Sequence, residues 1–145
     1  MTMQDDLAQR APEIHWPVGF DPAKADLFSH NEFLISAPCE RVWQHIVGTV
    51  FRWTTFGRPL ESQVNEFAPY TRIGWCGYAV GTTPSTANSF YHTWFLTPEG
   101  DVCRVVRDEV GMGQDAAHLR QTDESLMHRG HGLWLATLKW MAEGR

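Results

Sequence analysis

The sequence predicts an α+β fold, in which a run of antiparallel strands is followed by one long helix that must cover the apolar face of the sheet. Three observations carry this expectation. Strand-like runs in the middle of the chain are punctuated by turn signals at Gly57-Arg58, Pro69-Tyr70 and Glu99-Gly100. From Asp123 onward, Leu126, Gly130, Leu133, Trp134, Thr137, Leu138 and Met141 recur at helical spacing, with Thr122 or Asp123 placed to cap the helix. The 145 residues are enough for one core that needs no disulfide or metal.

Residues 1–26 contain Pro12, Pro17 and Pro22 with little periodicity, so they are expected to form an extended arm, pinned by Trp16, ahead of a single domain at 27–145. Leu27 to Ser36 reads as a strand that ends at the Ala37-Pro38 break. Pro38 then opens a short helix with Val42, Trp43, Ile46 and Val47 on one side.

Register arithmetic links the turns. A two-residue loop at Gly57-Arg58 sets Phe51 opposite Val64, Trp53 opposite Ser62 and Thr55 opposite Leu60. A loop at Pro69-Tyr70 pairs Val64 with Trp75 and Glu66 with Ile73, so two separate counts place Val64 on the same apolar face. A turn at Glu99-Gly100 pairs Phe90 with Glu109, His92 with Arg107, Trp94 with Val105 and Leu96 with Cys103. The opposite face of the first strands, with Gln63, Asn65 and Arg72, reads as solvated. Gly77 to Asn88 reads as a Gly/Thr/Pro/Ser-rich loop, and Gly111-Met112-Gly113 as a connector to the last helix.

Composition removes several function classes. Twelve Lys and Arg against 17 Asp and Glu give a net charge of −5, without the basic cluster that nucleic-acid binding needs. No run approaches the roughly 20 apolar residues of a membrane span, and Asp5 and Asp6 stand where a secretory signal carries positive charge, so a cytoplasmic location is expected. Cys39, Cys76 and Cys103 are odd in number and widely spaced, and read as buried or half-buried thiols. His128 and His131 lie three apart on the last helix, but no third ligand accompanies them; no metal and no cofactor are expected. Seven Trp, eight Phe and three Tyr supply large flat side chains for a dense core or for cavity walls.

The order of elements, with Ile35-Ser36-Ala37-Pro38 before Arg41-Val42-Trp43, then Phe51-x-Trp53, a Trp75-bearing strand, Tyr91-His92-x-Trp94 and a terminal helix with His131-x-x-Trp134-Leu135-x-x-Leu138-Lys139, resembles the SRPBCC superfamily. That group includes START-like, Bet v 1-like and polyketide cyclase/dehydrase-like proteins. Over about residues 27 to 141, the resemblance implies a helix-grip: a curved antiparallel sheet wrapped around a long C-terminal helix, with an internal hydrophobic cavity. Such proteins usually carry a loop and a further strand after the first helix. Here Val47 runs straight into Gly48, so either the chain is shortened there or a segment is missing between them, the second being favoured because a lost strand would open the cavity wall and leave an unpaired edge.

The inward face derived from register offers the candidate ligand-binding residues: Phe51, Trp53, Thr55, Val64, Glu66, Trp75, Phe90, His92, Trp94, Arg107 and Glu109, with His131 and Trp134 from the helix. A charge on that face needs a partner, water or a ligand, because a lone buried charge costs several kcal/mol. Two functions stay open. One is binding of a small hydrophobic molecule, aromatic or acyl, in the cavity. The other is a cyclase/dehydratase- or hydrolase-like enzyme in the same cavity, with His92, Glu66 and Glu109 as acid and base and Arg107 stabilising negative charge. A partner-binding module, as in the co-chaperone members of the superfamily, is a third reading, and exposed aromatics allow a homodimer.

Overall fold

The computed structural model describes residues 2–50, 60–79 and 88–144. Strand β1 (Leu27–Ile35) places Leu27, Ser29, Asn31, Phe33 and Ile35 on one face and Phe28, His30, Glu32 and Leu34 on the other. It pairs with β5 (Val102–Gly113), which pairs in turn with β4 (Asn88–Glu99). The ladder continues through β3 (Arg72–Ala79) to β2 (Leu60–Ala68), giving an open antiparallel sheet ordered β1-β5-β4-β3-β2. Helix α2 (Cys39–Val50) follows β1, and α3 (Gln114–Asp123) and α4 (Leu126–Ala142) follow β5.

The inward face of the sheet meets α2 and α4 in the main core, where Ile35, Trp43, Trp75, Trp94, Val105 and Leu138 are all buried. This is the α+β helix-grip arrangement. The stripe that α4 turns inward is Met127, His131, Leu135, Leu138 and Ala142. The expected stripe is offset from it: Leu133 is exposed, Trp134 is half-buried at the margin, and Leu138 alone lies at its centre. The C-terminal segment also divides into two helices. Asp123 closes α3 and accepts from the Ser125 backbone N–H and hydroxyl at the junction instead of capping a single long helix. Gly111, Met112 and Gly113 belong to β5 and are not a connector.

The outer face is not solvated where β1, β5, β4 and β3 meet. Residues 1–26 do not run as a plain extended arm: a Thr2–Asp5 capping box opens helix α1 (Met3–Ala8), and a turn of 3₁₀ helix spans Pro22–Lys24. Met3, Ile14, Trp16 and Phe20 from this segment cover Phe28, Tyr91, Phe95 and Val110. With both faces covered, β4 and β5 are buried nearly throughout their middles, polar residues included.

Helix α2 runs unbroken through Val47 and Gly48 to Val50, so the missing segment inferred there is withdrawn, and Thr49 and Val50 are helical and not the start of a strand. The Gly57-Arg58 turn and its pairings fall outside the described residues. The chain turns at Pro69-Tyr70, but the loop has three residues and not two, Thr71 being the third, because Ala68 pairs with Arg72; Val64 nevertheless pairs with Trp75. A β-bulge then intervenes, so that Glu66 pairs with Gly74 and Phe67 with Ile73. One extra residue flips the alternation, which sends Glu66 to the outer face, where His15 and Arg72 meet it at 2.7 and 3.7 Å. Tyr70 holds φ +66°, a strained conformation for a bulky residue, with its ring packed on Trp43. Val64 keeps its register yet is 41% exposed: among the described residues β2 is an edge strand, and the helices lie over β1, β4 and β5.

The last hairpin turns one residue later than expected. Gly100, at φ +62°, and Asp101 form the loop, Glu99 pairs with Val102, and His92 therefore stands opposite Glu109 instead of Arg107. The shift is two places along the partner strand. An even shift keeps every side chain on its face, so Trp94, Arg107 and Glu109 still point inward.

Candidate functional site

A polar cluster is sealed between β4, β5, β1 and α4. Arg107 is 0% exposed, and His92 and Glu109 are nearly so. Glu109 Oε1 is the hub: His92 Nδ1 approaches it at 2.6 Å, Arg107 Nη2 at 3.0 Å and His131 Nε2 at 3.1 Å. Arg107 and His131 donate to the carboxylate. His92 Nδ1 lies between that carboxylate and Arg107 Nη2, which approaches Nδ1 at 2.9 Å, and His131 accepts through Nδ1 from the Ser29 hydroxyl at 3.0 Å. Arg107 Nη1 donates to the Thr93 carbonyl at 3.2 Å.

Aromatic rings surround this cluster. The Arg107 guanidinium carbon lies 5.2, 5.1 and 5.4 Å from the ring centres of Trp75, Trp94 and Trp134. His92 stacks on Trp75 at 4.8 Å, nearly parallel, and Trp94 meets Trp134 edge to face at 5.4 Å. A buried guanidinium is tolerable here because one carboxylate neutralises it and three indole faces attract it. Trp134, half-buried on α4, is the outermost of the three indoles.

Charge balance follows from burial. Burial pushes the His92 imidazole below its ordinary value, and Arg107 lowers it further against the opposing pull of Glu109. His131 is pushed down to about 4, first by burial and then by Arg107. Burial alone would raise the Glu109 carboxyl, but the His92 and His131 imidazoles outweigh it and hold Glu109 well below the carboxylate range. Burial lowers Arg107 only to about 10, which leaves it charged. At neutral pH the cluster is one cation, one anion and two neutral imidazoles.

The outer face carries a second polar arrangement. His30 Nδ1 lies 2.6 Å from Asp108 Oδ1, while Asp108 Oδ2 accepts from the Ala11 backbone N–H in the N-terminal segment. Burial opposes a charged His30, but the Asp108 carboxylate outweighs it and raises the imidazole. Asp6 on α1 meets His128 on α4 at 3.0 Å. His128 and His131 thus diverge to opposite partners. Among the described residues no group of three or more His, Cys, Asp or Glu side chains is arranged to hold a metal.

Of the candidate residues, Trp75, His92, Trp94, Arg107, Glu109, His131 and Trp134 are brought together. Phe90 packs instead with Leu27, Ala116 and Met127, Val64 lies at the sheet margin, and Glu66 is on the other face. Phe51, Trp53 and Thr55 are outside the described residues. Ser29 and Asn31 complete the site without having been picked out in the sequence: Asn31 Nδ2 donates to the His128 carbonyl at 3.1 Å. Their signal was two polar side chains at inward parity in a strand whose other inward positions are Leu27, Phe33 and Ile35.

No protein-family model and no curated protein matches this sequence. Solved structures do match in fold. Protein jhp0584 from Helicobacter pylori aligns at TM-score 0.77 and 22% identity, over 92% of this chain and 98% of its own. Aha1 from Colwellia psychrerythraea, determined as a dimer in solution, aligns at TM-score 0.61 and 12% identity, over 81% and 97%. DynU16, a protein of the dynemicin biosynthetic locus, aligns at TM-score 0.57 and 14% identity, over 81% of this chain and 47% of its own. These likenesses establish the helix-grip fold. No described helix is long and apolar enough to cross a membrane.

Proposed function

We propose that the protein binds a small, largely apolar molecule, aromatic or acyl, between the inward face of the sheet and α4. The observation that carries this reading is the Arg107–Glu109–His92–His131 cluster set in a surround of Trp75, Trp94 and Trp134. Small-molecule sites are built this way, with apolar and aromatic walls and a few placed polar groups that orient the ligand. Residues 27–145 act in this reading as one ligand-holding domain. Three buried free thiols suit a reducing, cytoplasmic setting. A homodimer would cover Leu133 and Trp140, exposed on the outer side of α4, and the dimeric Aha1 relative supports it.

A second reading, an enzyme of the cyclase/dehydratase or hydrolase kind, draws on the 2.6 Å contact between His92 and Glu109. In this reading Glu109 holds the Nδ1–H tautomer of His92 and Nε2 is the basic atom, the arrangement a general base uses. The biosynthetic locus of DynU16 suits either reading.

Native mass spectrometry of freshly purified protein, followed by denaturation and identification of what is released, tests both. A stoichiometric apolar compound, unchanged after incubation with the protein, is the expected result. Conversion of that compound selects the enzyme. Recovery of no compound, together with no uptake of naphthalene-based probes, overturns ligand binding.

A further inference from the structure

Two donors in the sealed layer have no acceptor among the described residues: the Arg107 Nε–H and the Trp94 indole Nε1–H. Both side chains are essentially inaccessible, at 0% and 1% exposure, and they touch, with the guanidinium 5.1 Å from the centre of the Trp94 ring. Buried N–H groups in folded proteins are nearly always paired, so an orphaned pair on adjacent side chains calls for an explanation. The other guanidinium nitrogens have partners, Nη2 with Glu109 and His92 Nδ1 and Nη1 with the Thr93 carbonyl. Besides these two donors the layer holds one acceptor of the same kind, Asn31 Oδ1, on the strand beside Arg107.

We infer that the ligand of this site carries a neutral hydrogen-bond acceptor, a carbonyl oxygen on an aromatic or acyl body, read by Arg107 Nε–H and Trp94 Nε1–H. This rests on the ligand-binding reading and deepens it by naming the ligand class. The acceptor follows from the donors. Neutrality follows from charge: Arg107 is already balanced by Glu109, and neither imidazole carries a proton to spare. A carboxylate would bring an uncompensated negative charge into a dry layer, which the site accepts only by taking up a proton. A ketone, ester, amide or quinone oxygen brings none, and a plain hydrocarbon leaves both donors unpaired.

Three probes of one shape separate these cases: 2-acetylnaphthalene, 2-ethylnaphthalene and 2-naphthoate, titrated into the full chain by calorimetry and by 15N NMR of the indole and arginine Nε–H signals. The ketone is expected to bind about tenfold tighter than the hydrocarbon. It should move the Trp94 Nε1–H and Arg107 Nε–H resonances, which the hydrocarbon leaves in place. Trp94→Phe removes one donor and keeps an aromatic ring, and it should reduce the ketone-to-hydrocarbon ratio. Where that variant does not fold, the wild-type shifts decide alone. Equal affinity for ketone and hydrocarbon, with neither signal moving, overturns the inference and leaves apolar ligand binding standing. Tightest binding of 2-naphthoate overturns neutrality. Binding of none of the three overturns the ligand-binding reading as well.

Discussion

His92 Nδ1 and Glu109 Oε1 stand 2.6 Å apart across the β4–β5 ladder, both side chains almost completely buried. This contact anchors the carboxylate that Arg107 and His131 share. Glu109 is therefore the residue on which the buried charge depends.

Glu109→Gln keeps the shape and removes the charge, leaving the Arg107 cation uncompensated at 0% exposure. Breaking a buried pair from one side costs about 3–5 kcal/mol. Urea denaturation of the variant should show a loss of that size. A loss below about 1 kcal/mol, the scale of surface changes, would mean that water reaches Arg107.

Stability should fall on the acid side. His131 is held down to about 4 in the folded chain, against about 6.5 unfolded. As pH drops below about 6.5 the unfolded state takes up the proton first, so the free energy of unfolding decreases until about pH 4. His92, displaced in the same direction, adds to the slope. His30 acts oppositely: with its folded pKa raised by Asp108, its contribution is fully present below about 6.5 and is lost as pH rises through the folded value. Urea midpoints measured from about pH 4 to 8 should therefore lose their acid slope in part in His131→Asn, and show less decline at higher pH in His30→Asn. An unchanged acid slope in His131→Asn would show that His131 is not the group titrating.

Gly74 faces the outer side of β3, where a Cβ would stand 2.5 Å from the Tyr91 hydroxyl oxygen. The Tyr91 ring is held by Trp16 and Phe20, so it cannot simply step aside. Gly74→Ala should cost about 1–3 kcal/mol by overpacking. Tyr91→Phe removes the hydroxyl and should recover part of that loss, giving a favourable coupling in a double-mutant cycle. Additive losses would show that the strain lies in the backbone and not at the hydroxyl.

The class and order of the fold were legible because they rest on local patterns: strand-like runs punctuated by turn signals, Pro38 at the start of α2, and helical spacing toward the C-terminus. The inward placement of Trp75, His92, Trp94, Arg107 and Glu109 was legible too. It survived a misplaced turn because the error in register was two residues, and strand faces repeat every two. What the sequence by itself determined is therefore parity: which side chains share a face.

Tertiary structure decided which of those faces are covered and who meets whom. A third turn residue, Thr71, shifts the count by one at Glu66, and the bulge after Val64 shifts it back, so the count fails for Glu66 and holds for Val64. The cover of residues 1–26 over Phe28, Tyr91 and Phe95 rests on contacts between distant parts of the chain, which leave no periodic mark in the covering segment. Pairing inside the site is of the same kind. Ser29 from β1 and His131 from α4 are 102 positions apart, and only the docking of α4 on the sheet brings His131 to Glu109. Alternation assigns a face from neighbouring residues, whereas hydrogen-bond partners depend on distances of a few tenths of an ångström that are set when whole elements pack.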